Sequence, residues 1–458
     1  MTKPQIAILG AGPAGEAAAK QGAVLGADVT LIEKDQPGGL CLNHGCIPSK
    51  ILLETVHLAH KMKTASACFD NADAPRLRWT ELQKRKQDII LKMRDWMKKH
   101  MSQVGVRLTA GRARFTDSRT LRIEGDGTTS SLPFDAALIA TGGEPIFPEP
   151  FLSHRKDLLD SARALDLPAP PKSLIVVGGG AIGCEFACLF HALGSSVSLI
   201  EKMSQLIPGE ETRVVTALKN SFSNRGIDVR LDTTVASLTR GTDRWEAVLS
   251  DGTVLRAEQI LVSIGRRPTL DELGLDLAGV KTDRGRILVD DFLRTSQPHI
   301  YAAGDINGLS PFAHSAARQG ETAIHNAVQA LLGKTPDLKT YDKASTPRCL
   351  YTWPEVASVG EYADAIQQRG GETKVQRFFF QASPKAMAEW EEEGFIQILS
   401  DAGDEGRLRG AQIVGAHATE LIHIFSTALR AGMTRRDLGA VLFAHPTLSE
   451  GIKETLSR

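Results

Sequence analysis

The chain has 458 residues, of which 42% are hydrophobic and 24% are charged, a composition typical of globular proteins. This length leaves room for about three domains. The 54 basic and 54 acidic residues give a formal net charge of zero, so there is no long-range attraction to nucleic acid or anionic lipid. No apolar run approaches the roughly 18 residues of a membrane span. From the balanced charge and the lack of such a run, we expect neither nucleic-acid nor membrane partners.

The N-terminus runs directly into an apolar strand and lacks the three regions of a signal peptide. Six cysteines are too few for a disulfide framework in a chain of this size. Two closely spaced cysteines therefore indicate redox chemistry or metal binding, and the setting that we expect is the cytoplasm.

Two similar βαβ units occur 168 residues apart, counted from Gly10 to Gly178. Each has an apolar strand, a glycine-rich turn, a helix and a second strand that ends at an acidic residue. In the first unit these elements are predicted at 5–9, 10–15, 16–26 and 28–32, and in the second at 173–177, 178–183, 184–194 and 196–200. This repeat predicts two doubly wound, Rossmann-like dinucleotide-binding domains of the α/β class.

The glycines of each turn have separate roles in this fingerprint. Gly10 permits the tight turn, Gly12 lets a pyrophosphate approach the backbone and the positive end of the helix, and Gly15 lets helix and strand pack closely. Glu33, at the end of the second strand, can accept hydrogen bonds from an adenosine ribose. The second unit repeats the set with Gly178, Gly180, Gly183 and Glu201.

The second acidic residue bears on the choice of coenzyme. A carboxylate at Glu201 favours a free ribose 2′-hydroxyl and repels a 2′-phosphate, which predicts NAD rather than NADP. Lys202 follows immediately and weakens that preference.

Between the repeats, apolar residues at helical spacing predict a long amphipathic helix over 79–104. Beyond residue 335 the pattern changes. Strands around 396–399 and 412–414, followed by a helix at 418–431, predict a separate C-terminal α+β domain.

A redox pair is predicted in the segment 38–50, which reads GGLCLNHGCIPSK. Residues five apart in a regular helix lie roughly 8 Å apart at Cα, too far for a disulfide, so the helix must be distorted between Cys41 and Cys46. A thiol at a helix N-terminus has a lowered pKa, which favours the reactive thiolate. No cysteine–histidine cluster has zinc-like spacing, so no metal is expected. Cys184 and Cys188 are interpreted as buried packing residues.

A histidine and a glutamate stand close together near the C-terminus, at His445 and Glu450. Dithiol chemistry needs a group that takes a proton from the incoming thiol and later returns it, and imidazole serves both purposes near neutral pH. A carboxylate can fix the imidazole tautomer and stabilise its cation.

Together these motifs resemble those of the pyridine nucleotide–disulfide oxidoreductase family, and within it those of the dihydrolipoamide dehydrogenases. The motifs stand in the family's order and span almost the whole chain. They are Gly10–Gly15, Gly38–Lys50, Gly178–Gly183, Thr295–Asp305 and His445–Glu450.

The resemblance implies that the first turn binds FAD and the second binds NAD. The expected FAD-binding residues are Gly10, Gly12, Pro13, Ala14, Gly15, Glu33, Lys34, Gly39, Lys50, Thr141, Gly142, Gly304, Asp305, Ala313 and His314. The expected NAD-binding residues are Gly178, Gly180, Ala181, Ile182, Gly183, Glu201 and Gly265.

The resemblance also implies the catalytic roles. Cys46 is the cysteine nearest the flavin and Cys41 the one that meets substrate. Lys50 lies near the flavin and pairs with a carboxylate, Glu185. The dyad of His445 and Glu450 serves the active site of the other subunit, so a homodimer is implied.

The domains implied by the resemblance follow the chain. They are an FAD-binding domain at 1–145, an NAD-binding domain at 146–266, a central segment at 267–336 that completes the FAD site, and a dimerisation domain at 337–458.

The expected activity is oxidation of a protein-bound dihydrolipoyl group, or of a small dithiol, by NAD⁺ through FAD and the cysteine pair. One alternative is an NAD(P)H-dependent reductase of glutathione disulfide or another disulfide. A second is a non-catalytic flavoprotein that acts as a redox sensor or scaffold. Four positions near the chemistry depart from the family pattern and leave the substrate open: Glu16, Leu40, His44 (a possible second acid–base group) and Ala181.

Overall fold

The structure is a computed structural model that describes residues 3–68, 77–125, 127–333, 337–403 and 406–457. Its helices, in chain order, are α1 (Pro13–Val24), α2 (Gly39–His44), α3 (Cys46–Thr64), α4 (Trp79–Gln103), α5 (Ser161–Leu165), α6 (Ala181–Ala192), α7 (Thr212–Arg225), α8 (Ala313–Leu331), α9 (Ala363–Gln368), α10 (Pro384–Ala388), α11 (Ala418–Arg430), α12 (Arg435–Gly439) and α13 (Glu450–Leu456).

The strands are β1 (Gln5–Leu9), β2 (Asp28–Glu33), β3 (Arg107–Ala110), β4 (Arg112–Asp117), β5 (Thr120–Gly125), β6 (Thr128–Pro133), β7 (Ala136–Ile139), β8 (Gly143–Pro145), β9 (Ser173–Val177), β10 (Ser196–Ile200), β11 (Asp228–Arg230), β12 (Val235–Arg240), β13 (Trp245–Leu249), β14 (Val254–Ala257), β15 (Gln259–Val262), β16 (Arg266–Pro268), β17 (Thr282–Asp283), β18 (Arg286–Ile287), β19 (Ile300–Ala302), β20 (Arg348–Leu350), β21 (Val356–Gly360), β22 (Thr373–Phe379), β23 (Phe395–Asp401) and β24 (Leu408–Val414).

The chain divides into two compact units, each made of three segments. The first unit comprises Met1–Ile51, Gln83–Ile146 and Arg266–Lys343, and the second comprises Leu52–Leu82, Phe147–Gly265 and Ala344–Arg458.

The first unit is built on a parallel five-stranded sheet in the order β19-β7-β1-β2-β3. The centre strand, β1, is an apolar run because both faces of the sheet are covered. Ile6 and Ile8 point to a core formed with α1, α4 and α8. Ala7 and Leu9 point to a core formed with the antiparallel sheet β4-β5-β6. This alternation is the side-chain period of a strand.

The second unit contains a parallel four-stranded sheet in the order β11-β10-β9-β15 and an antiparallel sheet in the order β12-β13-β14. Its C-terminal part is a five-stranded antiparallel sheet in the order β20-β21-β24-β23-β22. Helices α11 and α13 pack on this last sheet through Phe425, Ile422 and Ile452.

The predicted α/β architecture is confirmed, including the C-terminal α+β domain. Most predicted elements agree with the structure to within two or three residues. The helix predicted at 16–26 begins three residues earlier, at Pro13, because proline fits the first helical position, where its missing N–H is not needed. The domain boundaries proposed from the resemblance stay predictions.

Candidate active site

The first glycine turn, between β1 and α1, requires glycine at two positions for different reasons. Gly10 has φ +101°, a conformation that L side chains rarely adopt. A Cβ on Gly15 would lie 1.8 Å from the carbonyl oxygen of Gly10, so only glycine lets the helix begin this close to the strand. The helix is capped by Gly12, which offers no side-chain hydrogen bond to the first N–H groups of α1. Those N–H groups are the donors that an anion uses at a helix N-terminus.

The second glycine turn, between β9 and α6, repeats this geometry. Gly178 has φ +106°, and a Cβ on Gly183 would again lie 1.8 Å from the carbonyl oxygen of the turn's first glycine. The cap residues Gly12 and Gly180 share the same backbone angles, φ −74° and ψ −174°. A Cβ on Gly180 would meet nothing within 4 Å, so the space beside this helix end is open.

The two acidic residues predicted to bind ribose are buried, and each makes hydrogen bonds to backbone N–H groups of its own glycine turn and of the segment after its strand. Glu33 accepts hydrogen bonds from the backbone N–H groups of Ala11, at 2.7 Å, and Asp35, at 2.9 Å. Glu201 accepts the equivalent bonds from Gly179, at 2.5 Å, and Met203, at 2.8 Å. Each carboxylate oxygen has a second lone pair, so this structural role is compatible with ribose binding.

The two cysteines of the predicted redox pair lie on different helices. Cys41 is in α2, Cys46 is the first residue of α3, and Gly45 between them leaves helical geometry at φ −145° and ψ −109°. The helix is therefore interrupted, as the five-residue spacing requires. A Cβ on Gly45 would lie 3.0 Å from the carbonyl oxygen of Leu40 and 3.5 Å from Cα of Cys41, so the interruption is tightly packed.

The two sulfurs interact directly as thiols. The pKa of the Cys41 thiol is raised, first by its hydrogen bond with Cys46 and then by burial, while the positive charge of Lys50 acts in the opposite direction. Cys41 thus holds its proton more tightly than a free thiol does.

A buried amide that the sequence analysis missed fixes the loop around the cysteines. The side-chain amide of Asn43 donates to the carbonyl oxygens of Gln36, Pro37 and Gly39, at 3.2, 3.1 and 2.8 Å. Its oxygen accepts from Nε of Arg94 at 2.5 Å. Asparagine favours turns because it can bond to nearby backbone groups, and this was the available signal in the segment CLNHGC. The amide sets the shape of the loop that presents both thiols.

The redox loop packs against the first glycine turn within the first unit. The N–H of Gly38 donates to the carbonyl of Ala11 at 2.8 Å. A Cβ on Gly39 would lie 2.7 Å from Cα of Gly12. The structure therefore brings the predicted dinucleotide site and the cysteine pair together.

Two further predicted FAD-binding segments meet the same turn. A Cβ on Gly10 would lie 3.3 Å from Cα of Thr141, which precedes Gly142. A Cβ on Gly304 would lie 3.6 Å from Cβ of Ala14. Segments that are far apart in sequence thus converge at the N-terminal end of α1.

Asp305, the predicted ribityl-binding residue, is the first residue of a short 3-10 helix over Asp305–Asn307. Burial raises the pKa of its carboxyl group, and the neighbouring Arg266 guanidinium partly opposes that shift. Ala313 and His314 begin α8, and the His314 side chain is exposed.

The predicted acid–base dyad is formed in the second unit. Nδ1 of His445 lies 2.9 Å from Oε1 of Glu450, and the other carboxylate oxygen accepts from the backbone N–H of Thr447 at 2.8 Å. The pKa of Glu450 is lowered, first by the Thr447 N–H and then by the hydrogen bond with His445. A carboxylate bound to Nδ1–H leaves Nε2 as the basic nitrogen, and the imidazole is 74% exposed.

The other two predicted catalytic residues are on helices. Lys50 is half-buried one turn after Cys46 in α3. Glu185 is buried in α6 and accepts a hydrogen bond from the backbone N–H of Tyr351 at 3.0 Å. The pairing of Lys50 with Glu185 stays a prediction.

The remaining predicted coenzyme residues lie at or near the two turns. Lys34 is exposed directly after Glu33, and Ala181 and Ile182 begin α6. Gly265, with φ +132°, lies between β15 and β16.

Across the described residues, no group of three or more His, Cys, Asp or Glu side chains is placed to hold a metal ion. Among the same residues, no helix is both long and apolar enough to cross a membrane. Cys184 and Cys188 are buried, as predicted, and burial raises the pKa of Cys188 to about 11.

Comparison with known proteins agrees with this arrangement. Residues 4–320 match the family model described as pyridine nucleotide-disulphide oxidoreductase, and residues 346–456 match the dimerisation domain of the same family. The chain belongs to the pyridine nucleotide-disulphide oxidoreductase family. Its members are flavoproteins that use FAD and a pyridine nucleotide, and the dimerisation domain implies a homodimer.

Similar members of the family include several named dihydrolipoyl dehydrogenases. The one from Bacillus subtilis is 36% identical over 456 residues, covering 98% of this chain and 97% of that protein. The one from Chlamydia muridarum is 35% identical over 446 residues, covering 97% and 94%.

Two solved structures of other members are also similar. LpdA from Mycobacterium tuberculosis has a TM-score of 0.90 at 28% identity, with 99% of each chain covered. RclA from Escherichia coli, titled an HOCl-induced flavoprotein disulfide reductase in its Cu(II) complex, has a TM-score of 0.87 at 25% identity, with 100% of this chain and 99% of that chain covered. The proteins to which this chain is similar therefore include both dehydrogenases and a reductase.

The residues of the first turn fit the flavin dinucleotide that the family uses. The N–H groups at the start of α1 have no side-chain cap, which suits a pyrophosphate. The half-buried carboxylate of Asp305 suits ribityl hydroxyls, because a polar group in such a site needs a hydrogen-bond partner.

Four positions depart from the family pattern, and three of them, Glu16, Leu40 and His44, lie beside the first glycine turn or in the redox loop. Glu16 forms an ion pair with Lys20 one turn along α1, at 2.7 Å. Leu40 is exposed and His44 is half-buried at the end of α2. The fourth, Ala181, is the first residue of α6.

Proposed function

We propose that the protein oxidises a dihydrolipoyl group to its disulfide and passes the two electrons to NAD⁺. The observation that carries this proposal is the contact between Cys41 and Cys46 across an interrupted helix, beside a glycine turn suited to a dinucleotide. The 36% identity to a dihydrolipoyl dehydrogenase over nearly the whole chain supports the choice of substrate. The proposed setting is the cytoplasm.

Each glycine turn would bind the pyrophosphate of one dinucleotide through the N–H groups at the start of its helix. The first would hold FAD, with Glu33 at the ribose and Asp305 at the ribityl chain. The second would hold NAD⁺, with Glu201 at the adenosine ribose. The carboxylate of Glu201 would repel a 2′-phosphate, and the exposed Lys202 beside it would offset that repulsion only in part, so NAD⁺ is the favoured coenzyme.

The cysteine pair would begin the cycle as a disulfide. A substrate thiolate attacks the sulfur of Cys41, the disulfide breaks, and Cys46 leaves as a thiolate. The second substrate thiol then attacks its partner sulfur, which releases the lipoyl disulfide and leaves Cys41 as a thiol. Bound FAD supplies the two-electron link between this dithiol and NAD⁺.

The raised pKa of Cys41 agrees with this division of roles. Once the mixed disulfide has broken, Cys41 would take up the proton of the second substrate thiol and hold it firmly, while the charge would stay on Cys46. Lys50, one turn after Cys46 in α3, would place a positive charge near that anion.

The imidazole of His445 would take the proton from the incoming substrate thiol at Nε2. Glu450 holds the opposite nitrogen and stabilises the cation that forms. The ring is largely exposed, so it can serve the cysteine pair of a second copy in the homodimer.

A second candidate is a reductase that uses NAD(P)H to reduce a disulfide. The similarity to RclA over the whole chain favours it, and so does Lys202 beside Glu201. A non-catalytic flavoprotein is less favoured, because a sensor or scaffold has no need of the His445–Glu450 dyad.

Two assays on the purified flavin-loaded protein separate these functions. The first measures NADH formation from dihydrolipoamide and NAD⁺, and the second measures NADPH oxidation with glutathione disulfide. We expect the rate in the first assay to be at least about 100-fold higher than in the second. The two substrates differ strongly, and a binding pocket fails to discriminate only when substrates are very similar. Activity confined to the second assay would overturn the proposal, and activity in neither would favour the sensor or scaffold.

A further inference from the structure

A chain of buried hydrogen bonds runs from helix α8 to the turn that carries Asp305. Its centre is Gln319, which is fully buried. The side-chain oxygen of Gln319 accepts the backbone N–H of Gly304 at 3.0 Å and Nδ2 of Asn307 at 2.8 Å. These two donors lie on either side of Asp305, so one amide oxygen holds both ends of the turn.

The nitrogen of the Gln319 side-chain amide continues this series of hydrogen bonds along helix α8. Its Nε2 donates to the hydroxyl of Ser315 at 3.0 Å, and that hydroxyl lies 2.6 Å from the hydroxyl of Tyr341. Ser315 and Asn307 are also buried, and Asn307 donates in addition to the carbonyl of Ala302 at 3.0 Å. Each of these polar groups has partners, which makes the network rigid.

The helix that carries Gln319 is also fixed against α1. A Cβ on the neighbouring Gly320 would lie 2.1 Å from the carbonyl oxygen of Ala14, so the two helices meet backbone to backbone. Ala14 is the second residue of α1 and therefore belongs to the first glycine turn. Helix α8 thus contacts the glycine turn through Gly320 and the Gly304–Asp305 turn through the adjacent Gln319.

We propose that Gln319 is a positioning residue for flavin binding: it fixes the distance between the pyrophosphate end and the ribityl end of the dinucleotide site. This inference rests on the proposed function, in which Gly10–Gly15 and Asp305 bind the two parts of FAD. The ligand class is a flavin dinucleotide, whose two ends must be held at once. Losing the amide frees the Asp305 turn and weakens binding at one end of the ligand.

The test compares FAD release from three variants of the full-length flavin-loaded protein. Gln319→Leu removes both hydrogen-bonding atoms at similar size. Gln319→Glu keeps an acceptor for Gly304 and Asn307, and the Ser315 hydroxyl can turn to donate to it. Thr322→Val is the matched control, because Thr322 is equally buried on the same helix and its hydroxyl has no hydrogen-bond partner among the described residues.

FAD release is followed as the rise in flavin fluorescence after dilution. We expect Gln319→Leu to release FAD about tenfold faster or more, because two buried donors lose their acceptor. Thr322→Val and Gln319→Glu should stay within about threefold of the wild type. Rescue by the conservative variant separates positioning from a general packing effect.

A release rate for Gln319→Leu equal to that of the wild type would overturn the inference and leave the proposed function intact. Equal acceleration in Thr322→Val would overturn it as well. If Gln319→Leu does not fold, Ser315→Ala takes its place, with an expected increase of about fivefold, beyond the range of the controls, and an unchanged rate would again be decisive. A wild-type protein that takes up no FAD would instead overturn the proposed function, and this inference with it.

Discussion

The two glycine turns of the molecule have nearly the same backbone and very different surroundings. Their cap residues share φ −74° and ψ −174°, and the first glycines have φ +101° and +106°. The helices that follow are both 12 residues long, and each second strand ends next to a buried glutamate that bonds back to the turn. The local geometry for binding a pyrophosphate is therefore the same in both units.

The difference lies in what packs against each turn. The first is enclosed by the redox loop at Gly39 and by helix α8 at Gly320. The second has open space beside its cap residue, Gly180. If the first turn holds FAD and the second NAD⁺, as proposed, this difference suits one ligand that stays bound and another that exchanges in each cycle.

The largest expected effect tests whether the redox loop belongs functionally to the first turn. Cys41→Ser or Cys46→Ser should lower dihydrolipoamide oxidation by about 10³-fold or more, because the disulfide can no longer form. Reduction of an artificial dye by NADH should persist, since it needs both dinucleotide sites and no thiol. Cys68→Ser, at an exposed cysteine, is the control and should change neither rate.

The next prediction extends the comparison to the C-terminal domain, which has neither turn. His445→Gln should reduce dihydrolipoamide oxidation by about 10²- to 10⁴-fold, the usual contribution of a general base, while dye reduction by NADH persists. His423→Gln, at an exposed histidine of α11, is the matched control. Equal losses in both variants, measured as kcat/KM, would show that the dyad has no special role.

The carboxylate of the dyad should matter less than its imidazole. Glu450→Gln should cost about tenfold or more in kcat/KM, the value of a hydrogen bond to a charged group. Because the pKa of Glu450 is lowered, the group is ionised at both pH 6 and pH 8. A kcat/KM for Glu450→Gln equal to that of the wild type at both pH values would contradict this assignment.

A matched pair of substitutions sharpens the comparison of the turns themselves. Glu201→Gln should raise the KM for NAD⁺ about tenfold and leave FAD content unchanged, because the amide replaces one acceptor by a donor. Glu33→Gln should weaken FAD binding and leave the KM for NAD⁺ unchanged. If each substitution affects both ligands alike, the two turns are not assigned to separate dinucleotides.

The smallest effects concern the stability of the flavin-free protein. Gly39→Ala should destabilise it by about 1–3 kcal/mol, because Gly39 has φ +55° and its Cβ would approach Gly12. Gly180→Ala should destabilise it by less than about 1 kcal/mol, the small cost of alanine at a helix cap, since its φ is −74° and the space is open. Denaturant unfolding measures both changes in stability. Equal changes would show that the two turns do not differ in how closely they are packed.

The sequence predicted well those features that local rules determine. The strands at 5–9 and 173–177 follow from apolar runs, and the glycine turns follow from backbone geometry that few residues can adopt. The spacing of Cys41 and Cys46 required a distorted helix, and the structure has an interruption at Gly45.

Features that depend on distant segments could not be predicted. Asn43 is fixed partly by Arg94, which is 51 positions away, and Gln319 acts on a turn 15 positions earlier. Periodicity reports which face of a helix is buried but not which buried polar group meets which partner. For the same reason, the enclosure of the first turn and the openness of the second were not visible in two nearly identical motifs.

The bonds that Glu33 and Glu201 make to their own turns have a consequence for how ligands enter. Because these bonds lie within the chain, part of the conformational entropy of ordering the two turns is lost during folding rather than at the moment of association. A coenzyme that meets a preformed site can dock without waiting for a slow rearrangement. The speed of NAD⁺ capture should therefore be governed by diffusion and access to the turn.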